Sequence, residues 1–372
     1  MKTQRDAWTY NFSIVSLKDI VEKSIDYYNQ ERVSLHNGLI STVDYSTNRI
    51  NWTRAVLSDI RKNKIYNFKD VVFVKAMYRP FCKQCLCYYK PLNEMMYQIP
   101  KLFPSINYEN LVISVSSVGS NKGASVLISD CIVDLHFNGD TQCFPLYYYE
   151  KRNVQEQTLF DNVEDEYVRR DAVSDFILKQ ARELYGPRVQ KEDIFYYVYG
   201  FLHSPKYRET FASDLKKMLP RIPLVDSPQD FWAFSEAGRR LADLHLNYEN
   251  VEPYRGCITL YGAYDNINYR VEKMRFLDKA DKTKIQYNHQ ITIENIPLEA
   301  YDYVVNGKSA IEWIMERYAI TTDRASGITN DPNDWADEQN NPKYIYNLLL
   351  SIINVSVQTV EIVKSLPDVK FD

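Results

Sequence analysis

The clearest helical periodicity of the chain lies between residues 194 and 245. Ser204 stands where an N-cap side chain accepts a backbone N–H, Pro205 suits the first helical position, and apolar residues then recur at helical spacing: Tyr207, Phe211, Leu215 and Met218. This pattern predicts an amphipathic helix with a buried face that ends at Pro220. The apolar run 222–225 is too short for a helix, and Ser227 followed by Pro228 predicts the start of another helix.

The first 150 residues show a different pattern, with period-two and β-branched segments. A helix is predicted from Leu17 to about Tyr28 with Ser16 as its cap, and a short amphipathic helix from Arg54 to Lys62. From Val71 onward the segments DVVFVKAMYRPF, NLVISVSS, ASVLISDCIVDLHF and CFPLYYY favour strands separated by Asn, Gly and Pro. The N-terminal part is therefore predicted to be mainly β.

The remainder of the chain is predicted to be helix-rich. A helix over 171–185 is broken by Gly186-Pro187, strands return between about 255 and 296, and later helices begin at Pro297, Ser309 and Pro342. We therefore predict an α+β fold with a mainly β module at 1–155, a linker at 156–170 and a helix-rich module at 171–372. A small antiparallel sheet at about 255–296 interrupts the second module.

Charge is distributed unevenly, although the net charge of the whole chain is only −4. Residues 45–90 hold ten basic side chains against Asp59 and Asp70, which leaves a local charge of +8. Such an imbalance within an acidic chain indicates a surface that faces a polyanion. The hydrophobic fraction of 45% is that of an ordinary globular protein.

Several strings resemble the C-terminal specificity region of Type ISP restriction-modification enzymes. They are YGFLHSPKYRETFASDLKKMLPRIPLV, FWAFSEAGRRLADLHLNYE, MYRPFCKQCLCYY, ENLVISVSS and GKSAIEWIMERYAITTDRASGITNDPNDWADE, which together span most of the chain. The resemblance implies that this is a target-recognition domain. In that family one polypeptide carries a nuclease, a translocase, an adenine-N6 methyltransferase and, last, such a domain.

The expected partners are double-stranded DNA and the methyltransferase domain of the same polypeptide, in a bacterial cytoplasm and without a membrane. Phosphate contacts are expected from basic side chains, at Arg49, Arg54, Arg61, Lys62, Lys64, Arg79, Lys83, Lys206 and Arg208. For Arg79 an internal ion pair is the competing interpretation, and for the face carrying Lys206 and Arg208 it is a solvated surface. Base readout is expected in two stretches that resemble the family less, 37–54 and 116–123, with Asn48, Asn51, Asn121 and Lys122 as candidates.

No catalytic residues are predicted in this chain. It has neither the Asn/Asp-Pro-Pro-aromatic motif that holds a flipped adenine nor a glycine-rich cofactor turn. S-adenosylmethionine, ATP and Mg²⁺ are therefore expected only in upstream domains, and no cofactor is expected here.

The string NGKSA at 306–310 is a poor match to a phosphate-binding loop, with preceding residues predicted to be helical. His203 and His245 are interpreted as core or capping residues.

The cysteines of CKQCLC lack regularly spaced partners for zinc and are more simply small hydrophobic strand residues, so no metal is predicted.

One alternative function stays open. The 30 tyrosines and the helical half also suit a protein–protein interaction scaffold within a multidomain DNA-processing enzyme, without direct base readout. A free-standing hydrolase is not supported, because no acid, base and nucleophile set is present.

Overall fold

The computed structural model describes residues 1–119, 122–152 and 166–371. Its helices, in chain order, are α1 Asp6–Thr9, α2 Ile14–His36, α3 Arg54–Arg61, α4 Ile99–Leu102, α5 Asp175–Tyr185, α6 Lys191–Phe201, α7 Pro205–Thr210, α8 Pro228–Leu246, α9 Ala310–Arg317, α10 Pro332–Glu338 and α11 Tyr344–Lys364. Short 3₁₀ helices occupy Phe68–Asp70, Lys90–Leu92 and Leu298–Asp302.

The strands are short and occur along most of the chain. They are β1 Tyr10–Asn11, β2 Val72–Arg79, β3 Cys82–Tyr88, β4 Val112–Val115, β5 Val126–Ser129, β6 Ile132–Val133, β7 Gln142–Pro145, β8 Tyr147–Lys151, β9 Tyr167–Asp171, β10 Ile258–Tyr261, β11 Arg275–Phe276, β12 Ile285–Gln286, β13 Ile291–Glu294, β14 Val304–Val305, β15 Lys308–Ser309, β16 Thr321–Thr322 and β17 Thr329–Asn330. The predicted α+β class is confirmed, with a strand-rich N-terminal half and a helical C-terminal part.

Backbone contacts divide the chain into two compact units. The first comprises Met1–Tyr97, Cys257–Asn295 and Ile314–Asn347, and the second comprises Gln98–Gly256, Ile296–Trp313 and Leu348–Asp372. These units join segments that are distant in sequence, whereas the predicted modules follow chain order. Of the predicted linker 156–170, residues 156–165 lie outside the described residues, and 167–170 belong to β9, which pairs with β8. The modular division itself stays a prediction.

The core of the first unit is a helix packed on a hairpin. Strands β2 and β3 pair from Val72↔Tyr88 to Arg79↔Cys82, with an irregularity after Met77, and β1 adds to the free edge of β3. Helix α2 packs on β1 and β3 through one buried face, made of Leu17, Val21, Ser24, Ile25 and Tyr28. The spacing of those residues is helical, so the face follows directly from the sequence.

Helix α2 begins earlier than the sequence predicted. Its first residue is Ile14, and Ser13, not Ser16, is the cap, with its hydroxyl accepting the Ser16 N–H at 2.9 Å. The carboxylate of Glu338 accepts the Ser13 hydroxyl at 2.6 Å and the Ile14 N–H at 3.2 Å. A negative group at a helix N-terminus satisfies free N–H groups and favours the helix dipole. The start of α2 is therefore set partly by a residue more than 300 positions away.

The predicted sheet insert is confirmed as four antiparallel strands of the first unit. Their order is β10–β13–β12–β11, with Ile258↔Glu294 and Ile285↔Ile293 among the paired residues. Ile285, Ile291 and Ile293 are buried on one face. The opposite face is more accessible, and β13 alternates between buried and half-buried positions, as expected for a sheet with one covered face.

The second unit is built around a close crossing of α6 and α8. A Cβ on Gly200 would lie 2.1 Å from the Phe234 carbonyl oxygen, and one on Gly238 would lie 1.9 Å from that of Tyr196. Only glycine permits such an approach of two helix backbones. Helix α8 begins as predicted, with the Ser227 hydroxyl accepting the Asp230 N–H at 3.3 Å. Helix α5 ends at Gly186, where φ is 103°.

Two predictions for the second unit are wrong in part. The helix that starts at Ser204-Pro205 ends at Thr210, and turns follow it instead of a helix reaching Pro220. Tyr207 is buried, but Phe211 and Leu215 are half-buried and Met218 is 39% exposed, so the predicted apolar face is only partly covered. Pro220 lacks an N–H, so the carbonyl of Lys216 has no helical partner and takes the Gly119 N–H at 2.9 Å instead.

The part of the chain after residue 297 is less helical than predicted. Pro297 precedes a 3₁₀ helix, and β14 and β15 form a hairpin through Asn306 and Gly307, whose φ angles are 47° and 79°. Two successive positive φ values are the signature of a type I′ turn, for which Asn-Gly is the favoured pair.

Among the described residues, α11 alone is long and apolar enough to cross a membrane, and most of its apolar window is buried inside the protein.

Candidate nucleic-acid interface

Helix α3 presents the largest group of basic side chains predicted to contact DNA. Val56 and Ile60 are buried, whereas Arg54, Arg61 and Lys62 are exposed. The helix is amphipathic because the two apolar residues lie four apart on one face. We define the α3 patch as Arg54, Arg61, Lys62 and Lys64.

The α3 patch is held firmly against helix α2. The Tyr28 hydroxyl donates to the Lys64 carbonyl at 2.8 Å, and the Asn29 side chain donates to the Tyr66 carbonyl at 2.8 Å while accepting its N–H at 3.2 Å. The rings of Tyr28 and Tyr66 stack with centroids 3.8 Å apart. Burial raises the pKa of both phenols far above their ordinary range, so they stay neutral donors. The patch is therefore a rigid surface.

The cations of the α3 patch are largely uncompensated. Within the described part of the chain, Arg54, Arg61 and Lys62 have no carboxylate within ion-pair distance. Lys64 pairs with Asp59 at 2.9 Å, and the Lys64 side chain is 50% exposed. Exposed pairs of this kind contribute little to stability, so Lys64 can exchange its partner at low cost. The geometry suits phosphate binding.

The predicted base readers that precede α3 in the chain, Asn48 and Asn51, already make hydrogen bonds within the protein. Asn48 is exposed and accepts the Ser46 hydroxyl at 2.6 Å, whereas Asn51 is half-buried and donates to the Gln4 carbonyl at 3.2 Å. Arg49 is exposed, with its guanidinium carbon 5.7 Å from the Tyr27 ring centroid. Of these side chains, Arg49 and Asn48 are the more accessible to a ligand.

Arg79 and Lys83, on the β2–β3 hairpin, are half-buried. One Arg79 nitrogen donates to the Tyr78 carbonyl at 2.6 Å, another lies 3.4 Å from the Asp6 carboxylate, and the guanidinium packs over the Tyr78 ring. Only 12% of the Arg79 side chain is exposed. This placement favours the internal ion pair over phosphate contact.

In the second unit, Lys206 is exposed on α7, whereas Arg208 points inward. The Arg208 Nε donates to the Leu202 carbonyl at 2.7 Å, and burial lowers its pKa. Arg208 lines a small cavity together with Ser116 and Ser125, at the base of the loop that carries Lys122. Lys122 is exposed, and Asn121 lies outside the described residues.

Other sequence motifs are explained by packing. Cys82, Cys85 and Cys87 are buried on β3, and burial raises the pKa of Cys85 to about 11 and that of Cys87 to about 12, so they remain thiols. Across residues 1–119, 122–152 and 166–371, no three His, Cys, Asp or Glu side chains cluster as metal ligands would. The NGKSA string follows a strand, not a helix: it begins with the turn between β14 and β15, continues through β15 and ends at the first residue of α9.

The predicted core histidines are confirmed, and they belong to a polar network that the sequence did not reveal. His245 contacts the Tyr199 hydroxyl through Nδ1 at 2.6 Å and the Thr359 hydroxyl through Nε2 at 3.0 Å, and its ring stacks on Tyr303. His203 donates from Nδ1 to the Tyr199 carbonyl at 2.8 Å. All these groups are buried, so the network is structural.

Comparison with known proteins identifies the family. The sequence profile of the Type ISP C-terminal specificity domain matches residues 1–348. The curated proteins contain no relative that matches.

Three solved structures are similar over the entire chain. That of the ATP-dependent Type ISP restriction-modification enzyme LlaBIII bound to DNA has 36% sequence identity and a TM-score of 0.86, with 23% of its chain covered. The structure of a nuclease-deletion mutant of the Type ISP enzyme LlaGI, in complex with a DNA substrate mimic, has 37% sequence identity and a TM-score of 0.84, with 33% of its chain covered. The structure of the DrdV–DNA complex has 30% sequence identity and a TM-score of 0.83, with 35% of its chain covered.

This chain thus spans about a quarter to a third of the length of those enzymes. The match to the family profile over nearly the whole sequence agrees with the structural similarity over all of it. The chain therefore belongs to the family of Type ISP C-terminal specificity domains.

Proposed function

We propose that this chain recognises a duplex DNA sequence and directs an adenine-N6 methyltransferase and an ATP-dependent translocase and nuclease of the same polypeptide to it. The observation that carries the proposal is the α3 patch, where three exposed cations lack a carboxylate partner among the described residues. Support comes from the relatives, two of which are Type ISP enzymes solved with DNA or a DNA mimic.

The charge of the patch has a direct physical consequence. Uncompensated cations repel one another, and a phosphate backbone removes that repulsion while it releases condensed counterions. Binding of this kind positions the protein on the duplex without reading sequence. Base readout then falls to accessible side chains outside the patch.

The chemistry is assigned to the rest of the polypeptide. In this proposal S-adenosylmethionine, ATP and Mg²⁺ bind upstream domains, and the enzyme works in the cytoplasm where its DNA is found. The present chain contributes the choice of site and the orientation of the duplex.

The test removes the patch charges by replacing Arg61, Lys62 and Lys64 with Ala. We expect weaker binding to a random-sequence duplex and to a duplex selected by the wild-type chain, by similar factors. The slope of log affinity against log salt should fall by about 0.9 for each phosphate that the variant no longer binds. Fluorescence anisotropy across a salt series measures both quantities.

The matched control replaces three exposed lysines of the same unit that lie outside the patch: Lys18, Lys23 and Lys279. It should leave affinity and slope close to wild type. Equal behaviour of the patch variant and the wild type would show that α3 is merely solvated and would remove the basis of the proposal.

The scaffold alternative is favoured by one surface. On the open face of the β10–β13–β12–β11 sheet, Ile258 and Leu260 are 54% and 47% exposed. Exposed aliphatic residues on a sheet favour contact with another protein surface. A partner bound there would associate with little dependence on salt, which distinguishes it from DNA.

A further inference from the structure

We propose that the second unit contains its own duplex-binding site, which we call the loop site, and that it combines phosphate contact with base readout. It consists of residues 116–119 and 122–123, the turn carrying Lys216 and Lys217, and the tip of the β14–β15 hairpin. The inference rests on the proposed function, since it assumes that the chain binds duplex DNA, but its residues are independent of the α3 patch.

Hydrogen bonds and close packing join these three segments, although they are far apart in sequence. The Gly119 N–H donates to the Lys216 carbonyl at 2.9 Å, and the Asn306 N–H donates to the Ser125 hydroxyl at 2.9 Å. The Lys122 side chain lies against the hairpin tip, because a Cβ on Gly307 would be only 3.0 Å from Lys122 Cδ. These contacts place Gly119 beside the turn that carries Lys216, and Lys122 beside the hairpin tip.

The loop is accessible to a large ligand. Gly119 and Gly123 have φ angles of 84° and 82°, and a Cβ built on either would meet no atom within 4 Å. Val118 is 48% exposed. Backbone that is free of neighbouring side chains can approach a groove closely, which is a recurrent use of glycine at binding loops.

The charge of the site is positive. Residues 116–119, 122–123, 216–217 and 306–307 contain no Asp or Glu, and three of them are Lys. Lys216 and Lys217 are exposed, and Lys122 and Lys308 add further cations on the adjoining segments. The Gly139 carbonyl accepts the Ser117 N–H, and the neighbouring Asp140 carboxylate is engaged with His136 at 3.0 Å.

Arg208 supports the site from beneath. Its guanidinium lines the small cavity with Ser116 and Ser125, where the loop leaves and re-enters strands β4 and β5. The charge therefore lies under the loop and is shielded from bulk water, which lengthens the range of its field. Arg208 is a positioning residue in this scheme, not a direct DNA contact.

The lysines of the loop site have two different roles in this proposal, phosphate contact and base readout. Lys216 and Lys217, side by side on a turn, suit neighbouring phosphates of one strand, and such contacts fix register without reading sequence. Lys122, which is exposed, suits the acceptor edge of a guanine in the major groove. The hydrogen bond from the Gly119 N–H to the Lys216 carbonyl joins the loop to the turn that carries the two phosphate-binding lysines.

The experiment compares the Lys216→Ala, Lys217→Ala double variant with a control of equal charge loss, Lys179→Ala with Lys364→Ala, which are exposed lysines on α5 and α11. The double variant should bind random and selected duplexes more weakly by the same factor, with a salt slope lowered by up to about two units. Lys216→Arg with Lys217→Arg should restore most of the affinity, because the charge is retained.

The second arm is Lys122→Ala. It should weaken binding to the selected duplex by at least about fivefold relative to the random duplex, as expected when a base is no longer read. Urea unfolding of every variant at pH 7 establishes that the fold is retained.

The results separate this inference from the proposed function. If the α3 variant loses affinity while the Lys216 and Lys217 variant matches its control, the loop site is wrong and DNA recognition by the chain stands. If the wild-type chain binds no duplex at any salt concentration, both proposals fall. Loss of affinity in the loop-site variant with an unaltered α3 variant would support the loop site and DNA binding by the chain, and would show that the α3 patch is not a DNA contact.

Discussion

His203 and His245 lie in the core of the second unit with ring centroids 5.6 Å apart. Burial lowers the pKa of His245 to about 3 and that of His203 well below its ordinary value of 6.5. The Arg208 guanidinium further disfavours a second positive charge at His203. One neutral tautomer of His245 accepts the Tyr199 O–H and donates to the Thr359 hydroxyl, so both contacts are satisfied without protonation.

The neutral state of these histidines predicts acid sensitivity. Below pH 6.5 the unfolded chain binds protons that the folded chain does not, so the free energy of unfolding falls as pH falls from 6.5 toward 3. His245 should contribute a loss of about 2 kcal/mol between pH 7 and pH 5, and His203 should add to it in the same direction. Urea unfolding of the wild type and of His245→Gln at both pH values measures this.

The glutamine variant retains one donor and one acceptor but does not titrate. Its loss of stability between pH 7 and pH 5 should therefore be smaller than that of the wild type by about 2 kcal/mol. The comparison cancels contributions from carboxylates, which are common to both proteins. An identical loss in the two proteins would mean that His245 is protonated in the fold.

At the scale of elements, the crossing of α6 and α8 depends on two glycines. Alanine is the better helix former by about 1 kcal/mol, so helix propensity alone predicts that Gly238→Ala stabilises the protein. The added Cβ would instead lie 1.9 Å from the Tyr196 carbonyl oxygen, and the helices would have to separate. We expect a net loss of about 1 to 3 kcal/mol in the free energy of unfolding.

Ala233→Gly is the matched control for this crossing, because Ala233 is exposed on the same helix. It should cost about 1 kcal/mol through propensity alone. Thermal or urea unfolding of the two variants measures both changes in the free energy of unfolding. A Gly238→Ala protein more stable than the wild type would contradict the close packing of the helices.

At the scale of the whole molecule, recognition and chemistry are predicted to be separable. The sequence contains neither the glycine-rich turn nor the Asn/Asp-Pro-Pro-aromatic motif that adenine methylation needs. The purified chain should therefore bind duplex DNA without transferring labelled methyl groups from S-adenosylmethionine. A known adenine methyltransferase, assayed in parallel, shows that the conditions support transfer, and incorporation of label by this chain would contradict the prediction.

Much of the fold follows from short-range patterns in the sequence. The cap at Ser227, the break at Gly186 and a helix over Leu17 to Tyr28 were predicted because propensity and periodicity act over a few residues. The hairpin at Asn306-Gly307 was missed although its signal is local, since Asn-Gly between short apolar segments favours a type I′ turn. The family resemblance was also carried by the sequence, and the profile match confirmed it.

The remaining features needed partners distant in the chain. Glu338 moves the start of α2 to Ile14, Asp6 engages Arg79, and Pro220 leaves the Lys216 carbonyl free for Gly119. A hydrogen-bond partner hundreds of residues away leaves no mark on local periodicity.

The sequence by itself thus determined the α+β class, the specificity-domain family and the basic segment that contains α3. Only the tertiary structure decided which cations are free. It turns Arg79 and Arg208 inward and leaves Arg61 and Lys62 exposed, and it places Lys122 against Gly307. The reason is physical: the cost of burying a charge and the availability of a phosphate contact depend on the neighbours of a side chain in space, and composition gives only their number.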